Sequence, residues 1–160
     1  MDREQFTRQV KSSQKALRRF LTALCCGDSQ LADDIAQDTF IKAYVSYDSL
    51  KDKEKFCAWT YQIAYNTFIS YTRSRKCTVD IYGSTDIATS DRADDSFRYQ
   101  ALYRALDRLS EKERSAILLF YLEGYQIKEI AEITGHRQEA VKQQLSRGRI
   151  NLRKHLESNT

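Results

Sequence analysis

A run of largely uncancelled charge lies near the end of this 160-residue chain, in the stretch IAEITGHRQEAVKQQLSRGRINLRKHL. Between Arg137 and His155 there are six Lys or Arg and one acid, Glu139. A merely solvated helix tends to balance its cations with acids one turn away. If Val141 and Leu145 face inward, Lys142, Gln143, Ser146 and Arg147 project from the opposite or flanking faces. Arg and Lys can donate to guanine edges, Gln can read adenine, and Ser is an adaptable partner. Arg149, Arg153 and Lys154 can hold phosphates, which position a protein without reading sequence. The chemistry on offer is recognition of duplex DNA through the major groove.

Such a helix has to be held by a second one. Ala131, Gly135 and Val141 have the spacing of a helix-turn-helix: a small residue at the crossing, a turn residue tolerant of positive φ, and a branched residue that packs back. Ile127, Ile130 and Leu145 complete a small core. A plain helical hairpin has the same spacing, and the charge on the second helix separates the two readings. Gly148 costs about 1 kcal/mol of helix propensity relative to Ala, and suits close approach to a neighbour.

Catalytic constellations are missing. The four cysteines (Cys25, Cys26, Cys57, Cys77) form no CxxC pair, and His136 and His155 stand far from them, so no metal site and no cofactor is expected. The thiols read as reduced and partly buried. Five Asp lie between Asp80 and Asp95, in a polar segment that cannot preorganise a metal for hydrolysis. The expectation is a binding protein and not an enzyme. The net charge is only +4, but it is segregated along the chain, which suggests a partner-facing surface. No apolar run has membrane length, and MDREQFTRQV lacks secretory-signal character, so a cytoplasmic protein without membrane insertion is expected.

Helical spacing dominates, and no proline occurs. Phe6, Val10, Leu17, Phe20, Leu21 and Leu24 mark one face of a first helix, which Gly27-Asp28-Ser29 ends. A second helix is predicted over Leu31–Val45, with Ala32, Ala36, Phe40 and Tyr44 on its buried stripe. Tyr47–Phe56 reads as a polar loop. A third helix over Cys57–Lys76 is aromatic (Trp59, Tyr61, Tyr65, Phe68, Tyr71) with a basic end, either a central packed helix or a surface for stacked bases. Thr78–Ser96 reads as a flexible linker. A helix follows near Phe97–Leu109, then a capping box at Ser110–Glu113 and a helix that stops at Gly124. The fold class is all-α: two small helical domains joined by a flexible linker, the second a four-helix, winged-helix-like helix-turn-helix unit. The expected boundaries are 1–76, 77–96 and 97–160.

Two blocks carry a resemblance. LSEKERSAILLFYLEGYQIKEIAEITGHRQEAVKQQLSRGRINLRKHL resembles region 4 of bacterial extracytoplasmic-function (ECF) sigma factors, of the sigma-70 superfamily. ADDIAQDTFIKAYVSYDSLKDKEKFCAWTYQIAYNTFISYTRSRK resembles their region 2, in the right order. The resemblance implies an initiation factor that joins core RNA polymerase, recognises promoter DNA and helps to open it. It places polymerase contacts at Asp34, Gln37 and Asp38. It places a base-capturing loop at Tyr47–Phe56 and downstream-element contacts at Asn66, Arg73 and Arg75, with Lys76 beside them. Upstream-element contacts fall on Lys142, Gln143, Ser146 and Arg147, flanked by Arg149, with Arg137 at the turn. Family members are commonly held by an anti-sigma factor, a partner the resemblance allows. The chain departs from the family pattern at His136, usually apolar, and at Tyr65 and Ser70, usually Arg and Asp. A stand-alone helix-turn-helix regulator is the other reading. The polar face, polar loop and aromatic-basic helix of the first block argue against it.

Overall fold

The structure, a computed structural model, describes residues 3–78 and 93–157, with side chains over 3–74 and 99–157. Seven helices occur among the described residues and no strand: α1 (Arg3–Leu24), α2 (Ser29–Ser46), α3 (Phe56–Thr78), α4 (Ala93–Asp107), α5 (Glu111–Ile117), α6 (Ile127–Thr134) and α7 (Gln138–Glu157). α1–α3 form one helical unit and α4–α7 the other, as the sequence predicts. Both ends of the segment expected to be linker, 77–96, are helical: α3 runs on to Thr78 and α4 begins at Ala93. The flexible-linker expectation otherwise falls on residues 79–92, outside those described.

Local chemistry sets the helix ends. Cys26 (φ 55°) and Gly27 (φ 91°) turn the chain through left-handed backbone after α1. Gly27 also lies so close to the Tyr103 ring that a Cβ there would sit 2.9 Å from Cδ2. Asp28 then caps α2, its Oδ1 accepting from the Leu31 N–H at 3.1 Å. Ser110 and Glu113 exchange side chain-to-backbone hydrogen bonds at the start of α5, the expected capping box. Beyond Ile117, one π-type turn over Leu118–Leu122 carries the chain to Gly124 (φ 74°).

The buried stripe of α2 differs from the predicted one. It is Ala32, Ile35, Ala36, Thr39 and Ala43. Phe40 is half-buried and Tyr44 is 39 % exposed. Thr39 is fully buried because its hydroxyl donates to the Ile35 carbonyl at 2.7 Å, which removes the cost of burying it.

The two units share one core. Leu17, Phe20, Leu21 and Leu24 of α1 and Tyr61, Ala64, Tyr65 and Phe68 of α3 join a cluster that continues into Leu106, Leu119, Ile130, Ile133, Val141 and Leu145. At the junction lies Arg114, only 8 % exposed. Its Nη1 donates to the Leu24 carbonyl of α1 at 2.8 Å, Nε to Leu106 at 2.8 Å and Nη2 to Leu109 at 3.2 Å. Tyr61 of α3 donates to Glu123 Oε2 at 2.8 Å, and Glu123 Oε1 lies 3.7 Å from the Arg19 guanidinium. A second, smaller cluster of Phe6, Ala43, Tyr47 and Phe56 closes the other end of the first unit.

Replacing Arg114 with Leu leaves the Leu24 and Leu109 carbonyls without this donor, while Leu106 O keeps the Leu109 N–H at 3.1 Å; it is expected to cost about 3 kcal/mol or more in urea unfolding, and Lys, with one ammonium, should recover only part of it. A loss under about 1 kcal/mol would show that the guanidinium is not structural. A Cβ on Gly148 would lie 2.8 Å from Cγ1 of buried Ile117. Gly148→Ala is therefore expected to destabilise by about 1 kcal/mol, overpacking outweighing the gain in helix propensity, again read by urea unfolding.

Candidate nucleic-acid interface

The helix-turn-helix is α6, the turn at Gly135–Arg137, and α7. Gly135 sits at φ 76° and its N–H donates to the Ala131 carbonyl at 2.9 Å, so the left-handed turn residue is where the spacing placed it. Glu129 opens α6 by accepting from the Gln126 N–H at 3.1 Å. Val141, Leu145 and Gly148 are the buried residues of α7. They meet Ile130 and Ile133, with Ile127 and Ala131 partly buried beside them. Gly148 makes the close approach expected of it.

Burying that stripe fixes the opposite one. Lys142, Gln143, Ser146 and Arg147 are all exposed, as are Arg137 and Arg149. Among the described residues none of the first four is tied to a neighbour, so their donors are available together. Arg149 is partly engaged: Nε donates to Leu145 O at 3.2 Å and Nη1 to the Tyr121 hydroxyl at 3.1 Å.

On α3, Asn66 and Arg73 are exposed. Arg75 and Lys76 lie on the same helix, with side chains outside the described residues. The stacking-platform reading of the aromatics does not hold for Tyr61, Tyr65 and Phe68, which are buried. Tyr61 instead packs edge-on against Phe20 and Tyr125, at 5.2 and 5.5 Å between centroids. Burial and the neighbouring Glu123 carboxylate push its hydroxyl well above the ordinary range.

The loop between α2 and α3 is more built than its polar sequence suggests. Two short 3-10 turns, Tyr47–Ser49 and Lys53–Lys55, occupy it. Tyr47 is buried and donates to Gln9 Oε1 of α1 at 2.5 Å. The Lys53 ammonium donates to the carbonyls of Tyr47 (2.6 Å) and Leu50 (2.8 Å) and lies 4.0 Å from the centre of the Tyr47 ring. Gln9 Nε2 returns a bond to Lys53 O at 2.7 Å. The loop is thus fastened to α1 while Asp48, Ser49, Lys51 and Asp52 stay exposed.

Of the predicted polymerase contacts, Asp34 and Gln37 are exposed on α2. Asp38 is half-buried, and its Oδ2 accepts from the Tyr71 hydroxyl of α3 at 2.5 Å, which pushes that phenol up to about 12. Ile41 and Val45 of α2, which were not among the predicted contacts, are 61 % and 77 % exposed. At i+7 and i+11 from Asp34 they continue its stripe. The available signal was two apolar residues off the buried face.

Residues 9–77 match the family pattern for sigma-70 region 2, and residues 99–152 match that for sigma-70 region 4. The chain is an ECF sigma factor of the sigma-70 family. Its function is promoter recognition in transcription initiation. Among curated relatives it is 33 % identical over 147 residues to the ECF RNA polymerase sigma factor SigW of Bacillus subtilis, covering 81 % of this chain and 78 % of that one. It is 32 % identical over 140 residues to SigM of the same organism, covering 84 % and 85 %. Among solved structures it is similar to the sigma factor RpoE in complex with the anti-sigma factor NepR from Bartonella quintana, with a TM-score of 0.82, 30 % identity and coverage of 97 % and 98 %. CnrH in complex with the cytosolic domain of CnrY shares the fold, with a TM-score of 0.73 at 22 % identity.

One contact joins α3 to the helix-turn-helix turn. The Tyr65 and His136 rings meet edge-on, 6.1 Å between centroids, where α3 faces the helix-turn-helix turn. His136 Nδ1 lies 3.2 Å from Gln144 Nε2. Burial, then the Lys112 charge, hold the imidazole below its ordinary value of 6.5, against the Gln144 contact. The folded chain thus prefers the neutral ring. As pH falls through about 6.5 the unfolded chain takes up the proton first, so stability declines there and is unaffected above it. Thermal unfolding from about pH 7.5 to about pH 5.5 should show a steeper loss for the wild type than for His136→Gln. Parallel losses would contradict this.

Proposed function

We propose that this sigma factor reads the upstream promoter element in the major groove through Lys142, Gln143, Ser146 and Arg147 of α7. Arg137 at the turn and Arg149 contact the flanking phosphates. The observation that carries the reading is the exposure of those four donors together on one face, with Val141, Leu145 and Gly148 buried on the other. Asn66, Arg73, Arg75 and Lys76 of α3 engage the downstream element, and the loop fastened to α1 holds a base there. Core RNA polymerase seats on the exposed face of α2. Asp34 and Gln37 supply its polar part, and Asp38 lends charge while holding Tyr71. Ile41 and Val45 supply the desolvated centre that a protein interface needs. The domain limits 1–76, 77–96 and 97–160 remain our division of labour, with α4 reaching back to Ala93.

In this reading the chain is not an enzyme: bond-making belongs to the polymerase, and the chain selects where it starts. It works in the cytoplasm, where its DNA is. No helix among the described residues is long and apolar enough to cross a membrane, which is compatible with that. An anti-sigma factor is a partner we include, supported by the whole-chain likeness to a sigma factor caught in such a complex.

Arg147→Ala is expected to weaken promoter binding by about 1–3 kcal/mol and to flatten the preference among base-substituted duplexes, measured by equilibrium binding of the holoenzyme. An unchanged base preference would remove this face from recognition. Asp34→Lys combined with Gln37→Lys should abolish co-migration with core polymerase while leaving the helical circular-dichroism signal intact. Normal co-migration would move the polymerase site elsewhere.

A further inference from the structure

α1 carries a feature that the proposed contacts do not use. Between Glu4 and Asp28 the chain has no acid and five cations: Arg8, Lys11, Lys15, Arg18 and Arg19. At helical spacing all five fall within about a third of the circumference, opposite Phe6, Ser13, Leu17, Phe20 and Leu24, which are buried. Arg8, Lys11, Lys15 and Arg19 are exposed and Arg18 is half-buried. Two are partly occupied: Arg18 Nη1 pairs with Asp33 Oδ1 at 2.9 Å, and Arg19 reaches Glu123 at 3.7 Å. Arg8, Lys11 and Lys15 form no salt bridge among the described residues. From Arg8 to Arg18 the stripe runs about 15 Å along the helix axis, about the length of four phosphates along one strand.

The neighbours of the stripe say what kind of partner it fits. A protein interface needs an apolar centre, and a membrane-surface helix needs free apolar anchors. Among the described residues the exposed large hydrophobics are Ile41, Tyr44, Val45, Tyr99, Tyr121, Leu122 and Ile150, none of them on α1. Its apolar face is already buried in the core. On α1 itself, what stands among the cations is small and uncharged: Thr7 and Ser12 exposed, Thr22 half-buried; the acids that reach the stripe, Asp33 and Glu123, come from other elements and meet Arg18 and Arg19. The Ser12 and Thr22 hydroxyls donate to the helix's own carbonyls of Gln9 and Arg18, so what faces out is a row of cations among small side chains, which suits close approach of a sugar-phosphate backbone. Gln9, next to Arg8, is also the residue that holds Lys53 and Tyr47 of the base-holding loop, so the stripe adjoins the downstream DNA surface.

We propose that the exposed face of α1 is a sequence-independent DNA site, in which Arg8, Lys11 and Lys15, with Arg18, grip the phosphate backbone of promoter DNA next to the downstream element. The proposal rests on the DNA reading of the loop and α3. It adds affinity without adding base preference, a division of labour with α7.

The test is binding of the full chain to a fluorescent duplex with no promoter element, titrated from about 50 mM to about 300 mM salt. The triple variant Arg8→Gln, Lys11→Gln, Lys15→Gln changes only exposed side chains. It should lower the slope of log K against log salt by about 2–3, at about 0.9 for each phosphate no longer neutralised, and weaken binding at low salt by about tenfold or more. Each single variant should lower the slope by about 1, and Arg8→Lys, Lys11→Arg, Lys15→Arg should retain it. An unchanged slope in the triple variant overturns the proposal. So does an unchanged slope with failed co-migration on core polymerase, which would give the stripe to an acidic protein surface. Failure of the wild-type chain to bind the duplex at all would count against the DNA reading as a whole, a result distinguishable from either.

Discussion

A buried guanidinium sets the frame of this molecule. The last carbonyls of a helix have no partner within it, and buried ones must find a donor elsewhere. α1 turns away through left-handed Cys26 and Gly27, and Arg114 of α5 donates to its Leu24 carbonyl. The same fork holds the carbonyls of Leu106 and Leu109 at the end of α4. A cation among helix C-termini is favoured by their dipoles, which helps to offset its desolvation. Two helix ends are thus tied to one residue of α5. One turn on, Ile117 fills the space left open by Gly148 of α7. Because α7 buries Gly148 together with Val141 and Leu145, its opposite face turns to solvent with Lys142, Gln143, Ser146 and Arg147 on it.

The same logic divides α3. Its inner aromatics, Tyr61, Tyr65 and Phe68, join the core shared by both units, leaving Asn66 and Arg73 on the outside. Tyr61 is held by Glu123, and Tyr65 meets His136. Asp38 plays a double part, facing outward from α2 while fixing Tyr71 of α3.

The exposed basic face of α7 was legible in the sequence because two independent signals coincide on it: the apolar spacing of Val141 and Leu145, and charge without counter-charge. Gly135, the capping box at Ser110 and the all-helical class were legible for similarly local reasons. The stripe on α2 was misread because aromatic Phe40 and Tyr44 look more apolar than Thr39, whose hydroxyl is silenced by a backbone bond that residue type does not reveal. The loop at Tyr47–Phe56 hides its rigidity in the same way: Lys53 looks solvated and is a three-way tie. Arg114 looks like one more surface charge in SEKERS. Which helix faces meet across the two units is a long-range fact that no local period encodes.

The central claim is that the chain delivers core polymerase to particular DNA sequences. The most direct measurement is run-off transcription of genomic fragments by sigma-free bacterial core polymerase with and without the chain. The predicted result is a set of discrete transcripts that appear only with the chain and start downstream of a shared pair of sequence elements. Sequence-specific DNA binding by the chain alone, with no association with polymerase and no new transcript, would contradict it.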